Sequence, residues 1–457
     1  MRRIIAIIVF WCLGLSLHAQ VNDSIPFKYA DFIRLVLKNH PFAKQADLKR
    51  EEGIAYLLKA KGGFDPKLYS EIEGKEWDEV SYFYRSNSGL KVPTWFGIEA
   101  KVGYEYNQGQ NLNPERSTPG SGLWYAGISV PVGKNLFIDE RRAILKKAKI
   151  QVDLSENDRK LLLNNLLLDA TNVYWEWYKC YQKMSIYEEG VKFAENRNEA
   201  VVSGFVLQEF AMVDTVESNV QLNDRKLELE KIKLDFWKAS NALNTFLWTD
   251  EQVPLELNEK MVPVYEKYTA PLQFQVEIDT TIFIRYYDLK LKQLQIDRKL
   301  KLEQLKPQID LQFNPLIQPT SNANLFLPYS VQNYKYGLQA SFPIFIRKER
   351  GDLKLAQLKI KNTLYDREQK QLELEMKIKS LQQQLISLAE QLAFQEKMVE
   401  SYLVLRDTEQ VKFEMGESTL FLTNLRELKY LDSKLKLIDL QTYQLQTRAS
   451  WDWQLGL

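Results

Sequence analysis

Histidine and cysteine are almost missing, with two of each in 457 residues. That scarcity excludes multi-histidine metal centres, and it leaves histidine-based acid–base chemistry to one residue, His40, outside the first nineteen. Cys180 is likewise the one cysteine beyond that segment, so no disulfide within the mature chain can form. The formal net charge is +1, no basic cluster stands out, and nothing points to a nucleic-acid partner. There is no glycine-rich phosphate loop of the Walker or dinucleotide type, and no cofactor is expected. Beyond the N-terminus no run of about 18 apolar residues occurs, which excludes a spanning helix but leaves spanning strands open.

The first nineteen residues read as a secretory signal: Arg2-Arg3, an apolar run from Ile4 to Leu17, and a small-residue cleavage site at Leu17-His18-Ala19. Cys12 lies inside the apolar run, which argues against a lipid-anchored cysteine.

Helical periodicity dominates the mature chain. A short amphipathic helix is predicted over 29–37 and a second over 42–61, closed by Gly62-Gly63. A helix of about 60 residues starts after Asp139, with Leu163, Leu166, Ala170, Val173, Trp177, Cys180, Met184, Tyr187, Val191 and Ala194 in three-four steps. The chain returns over 211–247. Another helix covers 282–305, and a second long one runs from about 350 to 413 with the seam Ile378, Leu381, Leu385, Leu388, Leu392, Val399 and Tyr402. It spans roughly 95 Å at 1.5 Å per residue, more than an ordinary globular core requires. Alternating strands lie at 68–75, 96–106, 124–130, 309–314 and 334–342. One face is apolar and the other polar or small. Trp77, Tyr82, Phe83, Tyr84, Trp95, Tyr104, Tyr106 and Trp124 are candidates for interfacial girdles. A soluble sheet with one wet face shows the same alternation.

The second half repeats the first. Pro66 matches Pro307, an offset of 241, and Asp47-Leu48-Lys49 matches Asp288-Leu289-Lys290. In the long helices the offset is 208: Phe205 matches Phe413, Glu209 matches Glu417 and Gln208 falls on Gly416. Helical tips are therefore expected at 207–210 and 415–418. The organisation reads as a signal at 1–19; a first repeat at 20–248, with strands at 66–131 and a helical hairpin at 139–248; a linker at 249–281; and a second repeat at 282–457, with strands at 307–343 and a hairpin at 347–457. The surplus length of 66–131 is either an extra hairpin or a long external loop. The fold class is α+β, with about four main strands per chain. Such a sheet has two bare edges that lipid does not tolerate. Closure therefore needs further copies, whose bundled rods would extend the barrel as a tube.

The order and duplication of these features resemble the TolC family of outer-membrane efflux proteins over nearly the whole mature chain. A proline-started strand follows a short helix (Gly63-Phe-Asp-Pro66; Leu305-Lys-Pro307). A strand ending in proline precedes an arginine-bearing helix start (Val130-Pro131 with Arg141-Arg142; Phe342-Pro343 with Arg347 and Arg350). The tips resemble a Gly-x-x-x-ϕ-x-Asp run, here Gly416-Glu-Ser-Thr-Leu-Phe-Leu422 and Gln208-Glu-Phe-Ala-Met-Val-Asp214. The resemblance implies a homotrimer in the cell outer membrane, a 12-stranded barrel with four strands per chain, and a periplasmic helical barrel. It also implies docking of Leu207, Gln208, Glu209, Phe210, Met415, Gly416, Glu417 and Ser418 to a periplasmic adaptor and an inner-membrane pump. Asp214 and Leu422 fall where an aperture is expected. Leu422 stands where family members often carry Asp, so an acidic ring would rest on Asp214, for which an ordinary helix first-turn acid is the competing reading. Cys180 and His40 read as structural, and Arg347 and Arg350 as solvated helix-start charges. The function implied is a passive, non-enzymatic exit duct for efflux. The open alternatives are the outer component of type I protein secretion, an exported coiled-coil protein with a soluble β cap and, more weakly, an outer-membrane hydrolase.

Overall fold

The computed structural model describes residues 25–258, 260–265, 278–318 and 332–456. The signal segment, part of the 249–281 linker and most of the loop before Tyr334 lie outside the described residues.

Strand β1 (Ile25–Phe27) leads into α1 (Tyr29–Asn39) and α2 (Pro41–Lys61). His40 ends one helix and caps the next: its Nδ1 accepts from Phe42 N at 3.2 Å, and Pro41 takes the first helical position. Four strands follow: β2 (Lys67–Trp77), β3 (Val80–Pro93), β4 (Glu99–Gln108) and β5 (Leu123–Pro131). Then come α3 (Glu140–Val206), 67 residues long, and α4 (Met212–Asn244). A short strand β6 (Met261–Pro263) pairs parallel with β1, Ile25 opposite Met261. The remainder is α5 (Ile282–Glu303), β7 (Gln308–Ile317), β8 (Tyr334–Ser341), α6 (Arg347–Glu414) and α7 (Leu420–Leu455).

The sheet corrects the expected strand number. Six strands, not four, form one antiparallel sheet in the order β2-β3-β4-β5-β7-β8. The surplus length is an extra hairpin, β3–β4, which has no counterpart in the second repeat, and the four-strand pattern that the resemblance implies does not hold here. The β2–β3 turn escapes sequence reading because Asp78 and Glu79 both adopt positive φ (55° and 61°) without a glycine or asparagine to signal it. Strand β7 also runs farther than expected, through Pro315, which pairs with Tyr334 of β8. The paired register between β5 and β7 skips Ala126 and Gly127, opposite the stretch where Pro315 offers no N–H.

The helices form one layer, four wide at each height. Next to the sheet α2, α3, α5 and α6 lie side by side; away from it the set is α4, α3, α7 and α6. Ion pairs bridge them on the sheet side: Arg159 with Asp47 at 2.9 Å, Lys147 with Asp297 at 2.7 Å and Arg367 with Asp288 at 2.8 Å. The main core sits mid-rod. There Phe27, Phe32 and Val36 pack on Ala170, Tyr174, Trp177 and Cys180 of α3 and Leu243 of α4. The Tyr174 hydroxyl donates to Phe27 O at 2.8 Å, tying the β1–β6 ribbon to the rod. Both expected seams are where burial concentrates: Leu166, Ala170, Trp177, Cys180, Val191 and Ala194 in α3, and Ile378, Leu381, Leu385, Leu388 and Leu392 in α6. Burial pushes the Cys180 thiol up to about 11, as a packing residue requires.

Candidate functional site

Two regions carry the candidate function: the sheet and the far ends of the hairpins. In the sheet, register assigns every side chain to a face. One hydrogen-bonded row is Ala100, Ile128, Phe313 and Tyr336; another is Leu68, Leu90, Val102 and Ala126. These share a face with Tyr104, Trp124, Leu311 and Leu338. The opposite face holds Glu71, Lys91, Lys101, Glu105, Gln312 and Lys335. That polar face is concave. The hydroxyls of Tyr69 on β2 and Tyr125 on β5 bond to each other across two intervening strands, and Lys335 on β8 lies 3.8 Å from Glu105 on β4. Gly89 and Gly103, paired with each other, make room: a Cβ at either would strike a tyrosine hydroxyl.

Aromatic residues cluster at both ends of the apolar face. At the end of the sheet away from the rod, Tyr104 and Trp124 have ring centroids 5.2 Å apart, and Tyr84 and Tyr106 6.4 Å. At the helix side Trp95 packs edge-on against Phe96 at 5.4 Å, with Phe342 and Phe345 exposed nearby in sequence to the rod. Of the proposed girdle residues, Trp77, Tyr82 and Phe83 depart: Phe83 pairs with Lys75 on the polar face, Trp77 follows Lys75 by two residues on the same strand, and the Lys75 amine lies 4.8 Å from the Tyr82 ring centroid.

Arg142 was not singled out by its sequence beyond marking a helix start, yet it fastens sheet to rod. It is buried at the first turn of α3, capped by Asp139, whose Oδ1 accepts from Arg142 N at 2.7 Å. Its guanidinium donates to Leu136 O at 3.1 Å, to Asn135 O, and to Phe96 O at 3.4 Å in the β3–β4 turn. Gly97 in that turn has φ 98° and faces the guanidinium.

At the opposite end the two tips share one backbone. Leu207 N, Gln208 N and Glu209 N bond to the carbonyls of Ser203, Phe205 and Gly204. Met415 N, Gly416 N and Glu417 N bond to those of Val411, Phe413 and Lys412, each 208 residues on. Gln208 holds φ 65° where Gly416 holds 75°, so a non-glycine residue adopts the left-handed closing geometry. Leu207, Gln208, Glu209, Met415, Gly416 and Glu417 are exposed, whereas Phe210 and Ser418 are half-buried. Phe210 stacks on Phe413 (6.0 Å), joining the two tips, and covers Gly204, where a Cβ would collide with its ring. Asp214 Oδ2 accepts from Ala211 N at 2.9 Å and so caps α4. At the second tip Thr419 does that work, its Oγ1 accepting from Leu422 N at 3.3 Å.

Behind the tips lies a charged cluster that sequence reading missed. Arg197 of α3 pairs with Glu427 of α7, both nearly fully buried, and donates to Asn424 Oδ1 at 3.0 Å. Burial lowers the pKa of the neighbouring Arg225, with Glu427 opposing and Arg197 adding to the shift. No local signal links residues 230 apart; only the 208 register, which sets the two hairpins side by side, brings them near.

No family model and no curated protein matches the chain. Solved structures do. The Campylobacter jejuni CmeC outer membrane channel matches with a TM-score of 0.67 and 13% identity, over 93% of this chain and 85% of that one. The outer membrane protein VceC from Vibrio cholerae matches at 0.68 and 12%, over 93% and 95%. The open state of the Neisseria gonorrhoeae MtrE outer membrane channel matches at 0.67 and 15%, over 93% and 88%. The chain has a TolC-like fold. At these identities the likeness concerns the fold, and it extends over sheet, rod and tips together. No described helix of the TolC-like chain is long and apolar enough to cross a membrane.

Proposed function

We propose that this chain forms the outer-membrane duct of an export system, acting as a homotrimer and without chemistry of its own. The observation that carries this reading is a single sheet, apolar on its convex face and polar on its concave face, standing on a rod of paired helices. Alone, the sheet exposes Leu68, Ile72, Val102, Trp124, Leu338 and other large apolar side chains, an area far beyond what water tolerates on a monomer. In lipid that face is solvated, the aromatic ends meet the two interfaces, and the polar face lines a bore. The rod then lies in the periplasm.

The exposed tips suit an adaptor. Val206, Leu207, Met212 and Val213 form an apolar patch around the first tip, with Leu207 69% exposed, so a periplasmic partner would bury it there. A pump in the inner membrane would deliver substrates through that adaptor. Asp214 fits a capping role better than a cation filter, since its carboxylate is engaged with the backbone. Efflux is favoured because the solved structures of this fold include outer-membrane channels. Type I secretion uses the same duct geometry and remains the second reading.

Planar-bilayer recording on detergent-purified oligomer tests the duct. Discrete ion currents are expected, larger when the tips are loosened by Phe210→Ala. A water-soluble monomer purified without detergent, or silence from wild type and variant alike, contradicts it.

A further inference from the structure

The extra hairpin has a defined place. We infer that all six strands enter the membrane wall, so that three copies close an eighteen-stranded barrel by pairing β2 of one copy with β8 of the next. The inference rests on the trimeric duct reading and departs from the twelve strands that the family resemblance implies.

Three observations support it. First, the hairpin is built into the sheet. Strand β3 pairs with β2 from Val80 to Lys91, β4 pairs with β5 from Glu99 to Glu105, and Arg142 anchors the β3–β4 turn to the start of α3. The Tyr69–Tyr125 bond ties β2 to β5 across the polar face. A hairpin lying outside the barrel would have to break these bonds. Second, the edges match. β2 and β8 are the terminal strands of the sheet and run in opposite directions, so a neighbour's β8 meets β2 antiparallel, as an even-stranded barrel demands. Aligning Ser341 with Lys67 faces apolar rows to one side, and it sets Lys335 opposite Glu73. Third, the size fits. The hydrogen-bonded row starting at Tyr69, near the foot of β2, passes Gly89, Gly103 and Tyr125 to Leu316, near the head of β7. Repeated over three copies, that stagger tilts the strands by about 35–40°, the range of closed barrels. At about 4.8 Å between strands, eighteen then give a radius of about 17–19 Å and twelve about 11–13 Å. The rod has four helices per copy at each height. Twelve helices spaced about 9–10 Å form a ring of radius about 17–19 Å. At that tilt the six-strand wall continues the ring without a step.

Cysteine pairs test the closure in the full chain, purified in detergent. Oxidation of Tyr69→Cys with Gln339→Cys, or of the adjacent registers Glu71→Cys with Gln339→Cys and Tyr69→Cys with Gly337→Cys, should give a covalent trimer on non-reducing gels in at least one case. Lys101→Cys with Gln339→Cys, which a four-strand closure through β4 would join, should give monomer. A trimer from the β4 pair, or none from any β2 pair, overturns the inference. Light scattering on the uncross-linked protein separates the two readings. A trimer lacking β2–β8 cross-links removes only the eighteen-stranded wall, whereas a monomer removes the duct as well.

Discussion

Glu427→Gln is the sharpest test of how the two hairpins are held together near their tips. The native carboxylate balances Arg197 directly and Arg225 nearby, and the side chains of the Arg197–Glu427 pair are only 6% and 8% exposed. Replacing the carboxylate with an amide keeps size and some hydrogen bonding but leaves the buried Arg197 guanidinium without its counter-charge and the half-buried Arg225 with the more remote Asp432. Breaking a buried pair in this way costs about 3–5 kcal/mol. Because α3 and α7 meet at this pair, the cost falls on local opening of the tip region rather than on the mid-rod core. Hydrogen exchange of amides at 190–204 and 420–434 should then speed up by roughly two to four orders of magnitude, with the amides around Trp177 unchanged. The double variant Arg197→Met, Glu427→Leu removes both charges and should exchange within about tenfold of wild type. Exchange in Glu427→Gln within threefold of wild type, or a double variant as labile as the single, would mean that this pair does not hold the hairpins together.

Gln208→Gly should stabilise the first tip by up to about 1 kcal/mol, and Gly416→Gln should destabilise the second by a similar amount, because only glycine accepts φ near 65–75° without cost; thermal unfolding of the purified oligomer reads both. His40 has its pKa lowered by burial, and its Nδ1 accepts a backbone bond that protonation would end. The unfolded chain therefore binds the proton more readily, so this contribution to stability is intact above about pH 6.5 and is lost as pH falls below it; His40→Asn should flatten that slope in denaturant titrations. Cys180 should resist maleimide at pH 7.5 in the native protein and react fully in denaturant, since its thiol is buried and held at about 11.

Much of the rod was legible because its signals are local and repeated. Three-four steps locate the seams, and proline punctuates the strand ends. The offset of 208 places the left-handed residue at Gln208 rather than at the nearby Gly204, which serves packing against Phe210. The β2–β3 hairpin was not legible. Its turn is Asp78-Glu79, and Ser70, Ser86 and Ser88 interrupt the apolar row where Ser70 and Ser88 bond to each other at 2.8 Å. Strand β1 has three residues and a partner 236 positions away, so nothing local marks it. Arg142 looked like one more helix-start charge; its burial follows from the turn at Phe96 folding back onto it, a contact that exists only once the extra hairpin does.

In the duct reading the convex face of the sheet meets lipid and the concave face meets water. Spin labels placed singly along β4 of the liposome-embedded oligomer separate the two environments, by comparing relaxation by oxygen with relaxation by a water-soluble nickel chelate. Labels at Ala100, Val102 and Tyr104 should favour oxygen and labels at Glu99, Lys101 and Glu105 should favour nickel, alternating along the strand. Equal access of nickel to both sets would mean that the strands stand in water, and the duct would be gone.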